Sequence, residues 1–214
     1  ARPVAKTREL HLVAWVNFVK EMDEALIRHT EEWGKQNKIK VKVDRVSLVD
    51  LQSRIAAAIQ AKAGPDIIEL EWNWAWLYAD SLADVTDVAE KVKKEHGNFY
   101  ETLEAQANVK GVYKAVPHAI MPMAFAYRTD YVKEAGVTIP KTWDELVAVA
   151  KVMKKFGKPV GQALGHSPAD PPIFWYPWLW GHGGKEVEAD GKTVAINSKE
   201  SLTAVEKAVE LFQY

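Results

Sequence analysis

Apolar positions along the first seventy residues change period repeatedly, and each period selects an element. Leu10 to Trp15 is an apolar run of strand length. Phe18, Met22, Ala25, Leu26, His29 and Trp33 follow at the spacing of one helical face, and Gly34 is placed at the end of that helix. Ile39, Val41 and Val43 alternate with lysines, as in a half-exposed strand, before Leu51, Ile55, Ala58 and Ile59 return to helical spacing ahead of Gly64-Pro65. Asp66 to Trp72 reads as a third strand. Strand, helix, strand, helix, strand at these intervals amounts to two βαβ units, which predict a parallel sheet with right-handed crossovers.

Further along, helical stretches are expected around Val85 to Lys94 and Tyr100 to Ala107, and Val112 to Pro117 is extended. Pro117 and Pro122 bracket a segment that cannot be helical throughout. The chain is therefore divided into a first α/β lobe over 1–116 and part of a second over 117–214, with a hinge crossing at 112–122. Thr142-Trp143-Asp144-Glu145 has the form of a capping box ahead of a helix carrying Leu146, Val149, Ala150 and Met153. Asp190-Gly191 between two short alternating runs predicts a type I′ hairpin. Asn197 or Ser198 caps a last helix with a stripe of Leu202, Val205, Ala208, Val209 and Phe212.

Composition narrows the function classes. A net charge of −1 without a block of like charges gives no footprint for nucleic acid or an anionic membrane. The absence of cysteine removes disulfides, thiolate metal sites and thiol nucleophiles. His11, His29, His96, His118, His166 and His182 show no metal-ligand spacing, so no metal is assigned. Gly191-Lys192-Thr193 lacks the upstream glycine of a phosphate loop, because that position is Glu186. Gly165-His166-Ser167-Pro168-Ala169 lacks the closing glycine of a nucleophile elbow.

The aromatic segments change the picture more. Six of nine tryptophans fall in Trp72-Asn73-Trp74-Ala75-Trp76 and Trp175-Tyr176-Pro177-Trp178-Leu179-Trp180. Trp72, Trp74 and Trp76 would share one face if the third strand continued, and a core face is the competing reading of each. In parallel α/β sheets ligands sit beyond the carboxyl ends of the strands. Asn17 and Phe18 follow the first strand, and Trp72, Asn73 and Trp74 follow the third. Glycoside hydrolysis is the enzymatic alternative, since Glu69, Glu71 and Asp170 adjoin the aromatic clusters.

The order of parts resembles the extracellular solute-binding proteins of ABC importers, of the sugar-binding, maltose-binding-protein type. The likeness is carried by Leu12-Val13-Ala14-Trp15, Gly64-Pro65-Asp66-Ile67-Ile68, Ala126-Tyr127-Arg128-Thr129-Asp130-Tyr131 with Glu134-Ala135-Gly136, and Ile139-Pro140-Lys141-Thr142-Trp143-Asp144-Glu145-Leu146. Gly183-Gly184 and Asn197-Ser198 fit as well. It implies an α/β fold, a type II periplasmic-binding-protein-like two-lobed clamp, incomplete in this chain because members of the family are longer. It further implies no enzymatic activity, no cofactor, an exported periplasmic protein whose signal peptide is absent here, and a monomer when complete. The partners implied are a membrane permease and a small solute, a sugar or polyol first; a quaternary-ammonium or polyamine solute is second, because clustered tryptophans also make cation–π cages. The ligand-binding residues it implies are Asn17, Phe18, Gln52, Trp72, Asn73, Trp74, Met121, Phe174, Trp175 and Trp178.

Overall fold

The computed structural model describes residues 9–166 and 169–214. Ser167 and Pro168 of the incomplete nucleophile-elbow motif lie outside the described residues. The chain divides into two compact units, residues 1–121 and 122–214.

The first unit is built on a parallel sheet of order β2-β1-β3. β1 (Glu9–Trp15) pairs along its whole length with β2 (Lys40–Val46), Glu9 opposite Lys40 and Trp15 opposite Val46. α1 (Lys20–Asn37) and α2 (Leu48–Ala61) provide the crossovers, and Ser47 caps α2 by accepting from the Asp50 amide at 3.2 Å. The buried core lies on the α2 side of the sheet, where Val13, Trp15, Leu51, Ile55 and Trp74 pack together. On the α1 side, Leu10, Leu12, His29, Trp33, Val41 and Ile67 line an open apolar recess of about 240 Å³.

Three sequence expectations need correction here. α1 begins at Lys20, so Phe18 precedes the helix and is 89% exposed instead of joining its apolar face. Gly34 does not end α1, which runs on to Asn37 and closes at Lys38 in the left-handed conformation. A β-carbon at Gly34 would stand 2.6 Å from the Ile39 carbonyl oxygen, so the glycine permits close approach of helix and strand. The third strand is also much shorter than Asp66 to Trp72. β3 is Ile67–Ile68 alone, flanked by bonds from Asp66 N to His11 O and from Glu69 N to Val13 O.

After β3 the backbone turns at Trp72, whose φ of 45° is left-handed, and Trp74 starts the short α3 (Trp74–Leu77). Trp72, Trp74 and Trp76 therefore do not share a strand face. α4 (Thr86–His96), α5 (Glu101–Ala107) and the small antiparallel pair β4 (Asn108–Val109) and β5 (Val112–Tyr113) enclose a second cluster around Ala89, Ala107 and Tyr113.

In the second unit, α6 (Thr129–Glu134) precedes α7 (Trp143–Lys155). Half of the expected capping box forms at the start of α7: Thr142 Oγ1 accepts from Glu145 N at 3.2 Å, whereas the Glu145 carboxylate accepts at 2.7 Å from Lys141 N, one residue before the cap, in place of Thr142 N. α8 (Asp170–Gly181) begins with Pro171 and Pro172, and α9 (Lys199–Phe212) is capped by Ser198. Leu146, Val147, Trp178, Leu179 and Ala204 form this unit's core. The hairpin at Asp190-Gly191 exists but is not type I′, which needs two residues at positive φ. Only Gly191 is positive, Gly191 N donates to Glu188 O and Glu188 N to Thr193 O, as in a type I turn closed by a glycine bulge.

Candidate functional site

The carboxyl edge of the first unit's sheet gathers aromatic, amide and carboxylate groups. β1 delivers Asn17 and Phe18 there, and the end of β3 delivers Glu69, Glu71 and Trp72. Phe18 meets Trp15 edge-on at 5.4 Å, which leaves most of its ring in solvent. Trp72 meets Trp74 edge-on at 5.8 Å and is 41% exposed. Phe18 and Trp72 thus present apolar faces, whereas Trp74, 4% exposed, belongs to the core.

Glu69 ties this edge together. Its Oε2 accepts from Trp15 N at 2.9 Å, and its Oε1 lies 3.3 Å from Nε2 of His118, in the segment after β5. Bonding to Glu69 raises the His118 pKa, against the opposing effect of burial. Glu71, two residues on, is partly buried, and its carboxylate has no hydrogen-bond partner among the described residues. Burial, with the like charge of Glu69 added, pushes its carboxyl up to about 7, and His118 offsets only part of this.

Asn17 is held from the other side. Its backbone and side-chain N–H groups both donate to Oδ1 of Asp23, which also accepts from Nη2 of Arg45. Burial raises the Asp23 pKa, but the Asn17 bonds and Arg45 outweigh it and hold the carboxyl below its ordinary range.

The remaining predicted residues divide. Asn73 is exposed at the start of α3 and makes no capping bond with its side chain. Gln52 is exposed on α2 and Met121 is 68% exposed at the end of the first unit. In the second unit the aromatic cluster is helical, so its residues point to different sides. Phe174 and Trp178, one turn apart, stack at 5.2 Å toward the core, while Tyr176 and Trp180 stack at 5.4 Å on the exposed side. Phe174 and Trp175 are partly buried against the core cluster. Trp178 is 0% exposed and its Nε1 donates to Ala204 O at 2.7 Å, so no face is left for a solute. Trp74 and Trp178 are thus corrected from ligand residues to core residues, because a buried indole with satisfied contacts packs and does not bind.

His118, Asp23 and Arg45 were not foreseen at this edge. Glu69 and Glu71 carried a signal, as alternate acidic positions at a strand end, but Asn17 with Asp23 and Glu69 with His118 are pairings that no local period announces.

The edge can stack apolar faces against a small molecule and exchange hydrogen bonds with its polar groups. Among the described residues no helix is long and apolar enough to cross a membrane. The profile of the family described as bacterial extracellular solute-binding protein matches residues 19–214. The diacetylchitobiose binding protein DasA of Streptomyces coelicolor is 23% identical over 214 residues, covering 94% of this chain and 47% of that one. A multiple sugar-binding protein of Streptococcus mutans is 23% identical over 156 residues, 66% of this chain and 33% of that one. Among solved structures, the GacH receptor of Streptomyces glaucescens superposes with a TM-score of 0.77 at 23% identity, covering 97% of this chain and 53% of that one. Maltose-bound MalE3 of T. maritima gives 0.74 at 22% identity, covering 95% and 52%. The chain spans a third to about half of the length of these relatives. Its fold is the α/β type II periplasmic-binding-protein fold of the MalE type, and with a family match over nearly all its residues the chain belongs to the bacterial extracellular solute-binding protein family.

Proposed function

We propose that this chain is the substrate-binding component of an ABC importer, working in the periplasm, and that it captures a sugar or polyol for delivery to a membrane permease. One arrangement supports this reading above the rest: Phe18 and Trp72 stand exposed at the carboxyl edge of the parallel sheet, beside Asn17, Asn73 and Glu71. Aromatic faces cover the C–H surfaces of a sugar ring, and amide and carboxylate groups bond its hydroxyls. In the second unit Phe174 and Trp175 are the candidates that keep some exposed ring. The relatives fit this chemistry, since the solved complexes include acarbose on GacH, maltose on MalE3 and ribitol on a related binding protein.

A cationic solute is the second reading, favoured by one observation: Glu71 is a partly buried carboxyl beside Glu69 with no hydrogen-bonded cation among the described residues. Thermal melts in maltose, diacetylchitobiose, ribitol, choline and spermidine separate the two. A neutral sugar at a hundred times its Kd should raise the melting temperature by roughly 5–10 °C. A response to choline or spermidine alone replaces the first reading with the second, and turnover of chromogenic glycosides would refute both.

A further inference from the structure

Asn17 is held by a single carboxylate oxygen. Its backbone N–H at 3.1 Å and its Nδ2 at 3.0 Å both donate to Oδ1 of Asp23, in the first turn of α1. Nη2 of Arg45, one residue before the end of β2, donates to the same oxygen. An ionised carboxylate accepts and never donates, so the Asn17 amide must turn its nitrogen toward Asp23. The amide oxygen is then the free end, and no protein donor bonds it among the described residues.

The supporting ion pair is enclosed. The Arg45 and Asp23 side chains are 12% and 16% exposed, and Nε and Nη1 of Arg45 are buried without partners among the described residues. Enclosing a guanidinium that leaves two of its donor nitrogens unused is costly for stability alone. The outcome of that cost is a carboxylate fixed against Asn17.

We infer that Asp23, clamped by Arg45, is a positioning residue that fixes the Asn17 amide nitrogen-inward, so that the loop after β1 turns the amide oxygen, a hydrogen-bond acceptor, toward a solute. This rests on the sugar-binding reading. A neutral sugar or polyol hydroxyl has a proton to give to that acceptor. A sugar-acid carboxylate placed against that oxygen has no proton to give, so the device favours a hydroxyl over a carboxylate at this position.

The test uses ¹⁵N-labelled protein, with the Asn17 side-chain amide assigned by its loss in Asn17→Ala. In the free protein its protons should exchange about tenfold more slowly than in the double variant Asp23→Ala/Arg45→Met, as expected for loss of one hydrogen bond. The double variant removes both charges together, so neither is left buried alone, and Arg45→Lys should restore the protection. Equal exchange in wild type and double variant overturns the inference. Calorimetry with maltose and with digalacturonate supplies the second arm. The double variant should bind maltose about tenfold more weakly while its preference for maltose over digalacturonate narrows; an unchanged preference overturns the selectivity. If neither saccharide binds the wild type, the sugar-binding reading fails, and amide exchange still decides the orientation of Asn17.

Discussion

Replacing Glu71 by Gln keeps the length of the side chain and removes a charge that the fold resists. In the unfolded chain this carboxyl titrates near 4.5, and in the folded protein at about 7, because it is partly buried and stands beside Glu69. Below pH 4.5 it is neutral in both states and its contribution to stability is fully present. Between pH 4.5 and 7 the unfolded chain ionises first, so stability falls as pH rises and continues to fall until the folded carboxyl has also ionised. At about 1.4 kcal/mol for each pH unit between the two values, the loss by pH 8 is roughly 3 kcal/mol. Glutamine escapes that loss, although its amide must find partners of its own, so Glu71→Gln should be about 1–3 kcal/mol more stable than wild type at pH 8. For a chain of this length that is roughly 3–10 °C in melting temperature. At pH 4 the two proteins should melt within about 2 °C of each other. His118 adds a decline of the same sign, since bonding to Glu69 raises its pKa and that stabilisation is lost as pH rises through the raised value. Carboxyls held low, such as Asp23 and Asp44, lose stability only as pH falls and affect both proteins alike. Circular-dichroism melts from pH 4 to 9 decide the matter: parallel curves for wild type and Glu71→Gln refute the assignment of Glu71 as a resisted charge.

Phe18→Ala should leave the melting temperature within about 2 °C, because the ring is 89% exposed, and should weaken the sugar identified by thermal shift about tenfold; calorimetry reads the second effect. Trp178→Ala should cost about 3–5 kcal/mol in chemical denaturation, since it empties a fully buried site and removes the Nε1 bond to the Ala204 carbonyl. Trp72→Gly relieves a left-handed backbone and gives up a half-exposed ring, so stability should change by less than about 1 kcal/mol while sugar affinity drops; a loss of several kcal/mol would make Trp72 a packing residue.

The parallel sheet and its crossovers were legible because β1, α1, β2 and α2 each keep one hydrophobic period from end to end. What failed was local backbone geometry. Gly34 carries the usual mark of a helix end, yet it serves close packing against Ile39, a contact made by residues that periodicity treats as separate elements. β3 was read too long because Leu70 to Trp72 continues its alternation. Only Ile67 and Ile68 pair in register with β1, however, and the turn at Trp72 ends the element. Asp190-Gly191 marked a hairpin correctly and its type incorrectly, since the Glu188 to Gly191 turn places a single residue at positive φ.

The tryptophan clusters show how far composition reaches toward a site. Counting indoles located two aromatic segments, but burial depends on the backbone that carries them. A strand would set Trp72, Trp74 and Trp76 on one face; the turn and short helix instead bury Trp74 and leave Trp72 and Trp76 partly in solvent. Helical spacing likewise sends Phe174 and Trp178 inward and Tyr176 and Trp180 outward, although all four are neighbours in sequence. An aromatic residue in the left-handed region pays in steric strain for each conformation in which it stays there. At Trp72 that strain turns the indole out of the strand direction and beside its own core neighbour, with two-fifths of its surface exposed. A packing role would favour a relaxed backbone and a buried ring. The cost is consistent with a ring held ready for a solute, which is why the backbone of Trp72, more than the number of tryptophans, places the proposed platform at the end of β3.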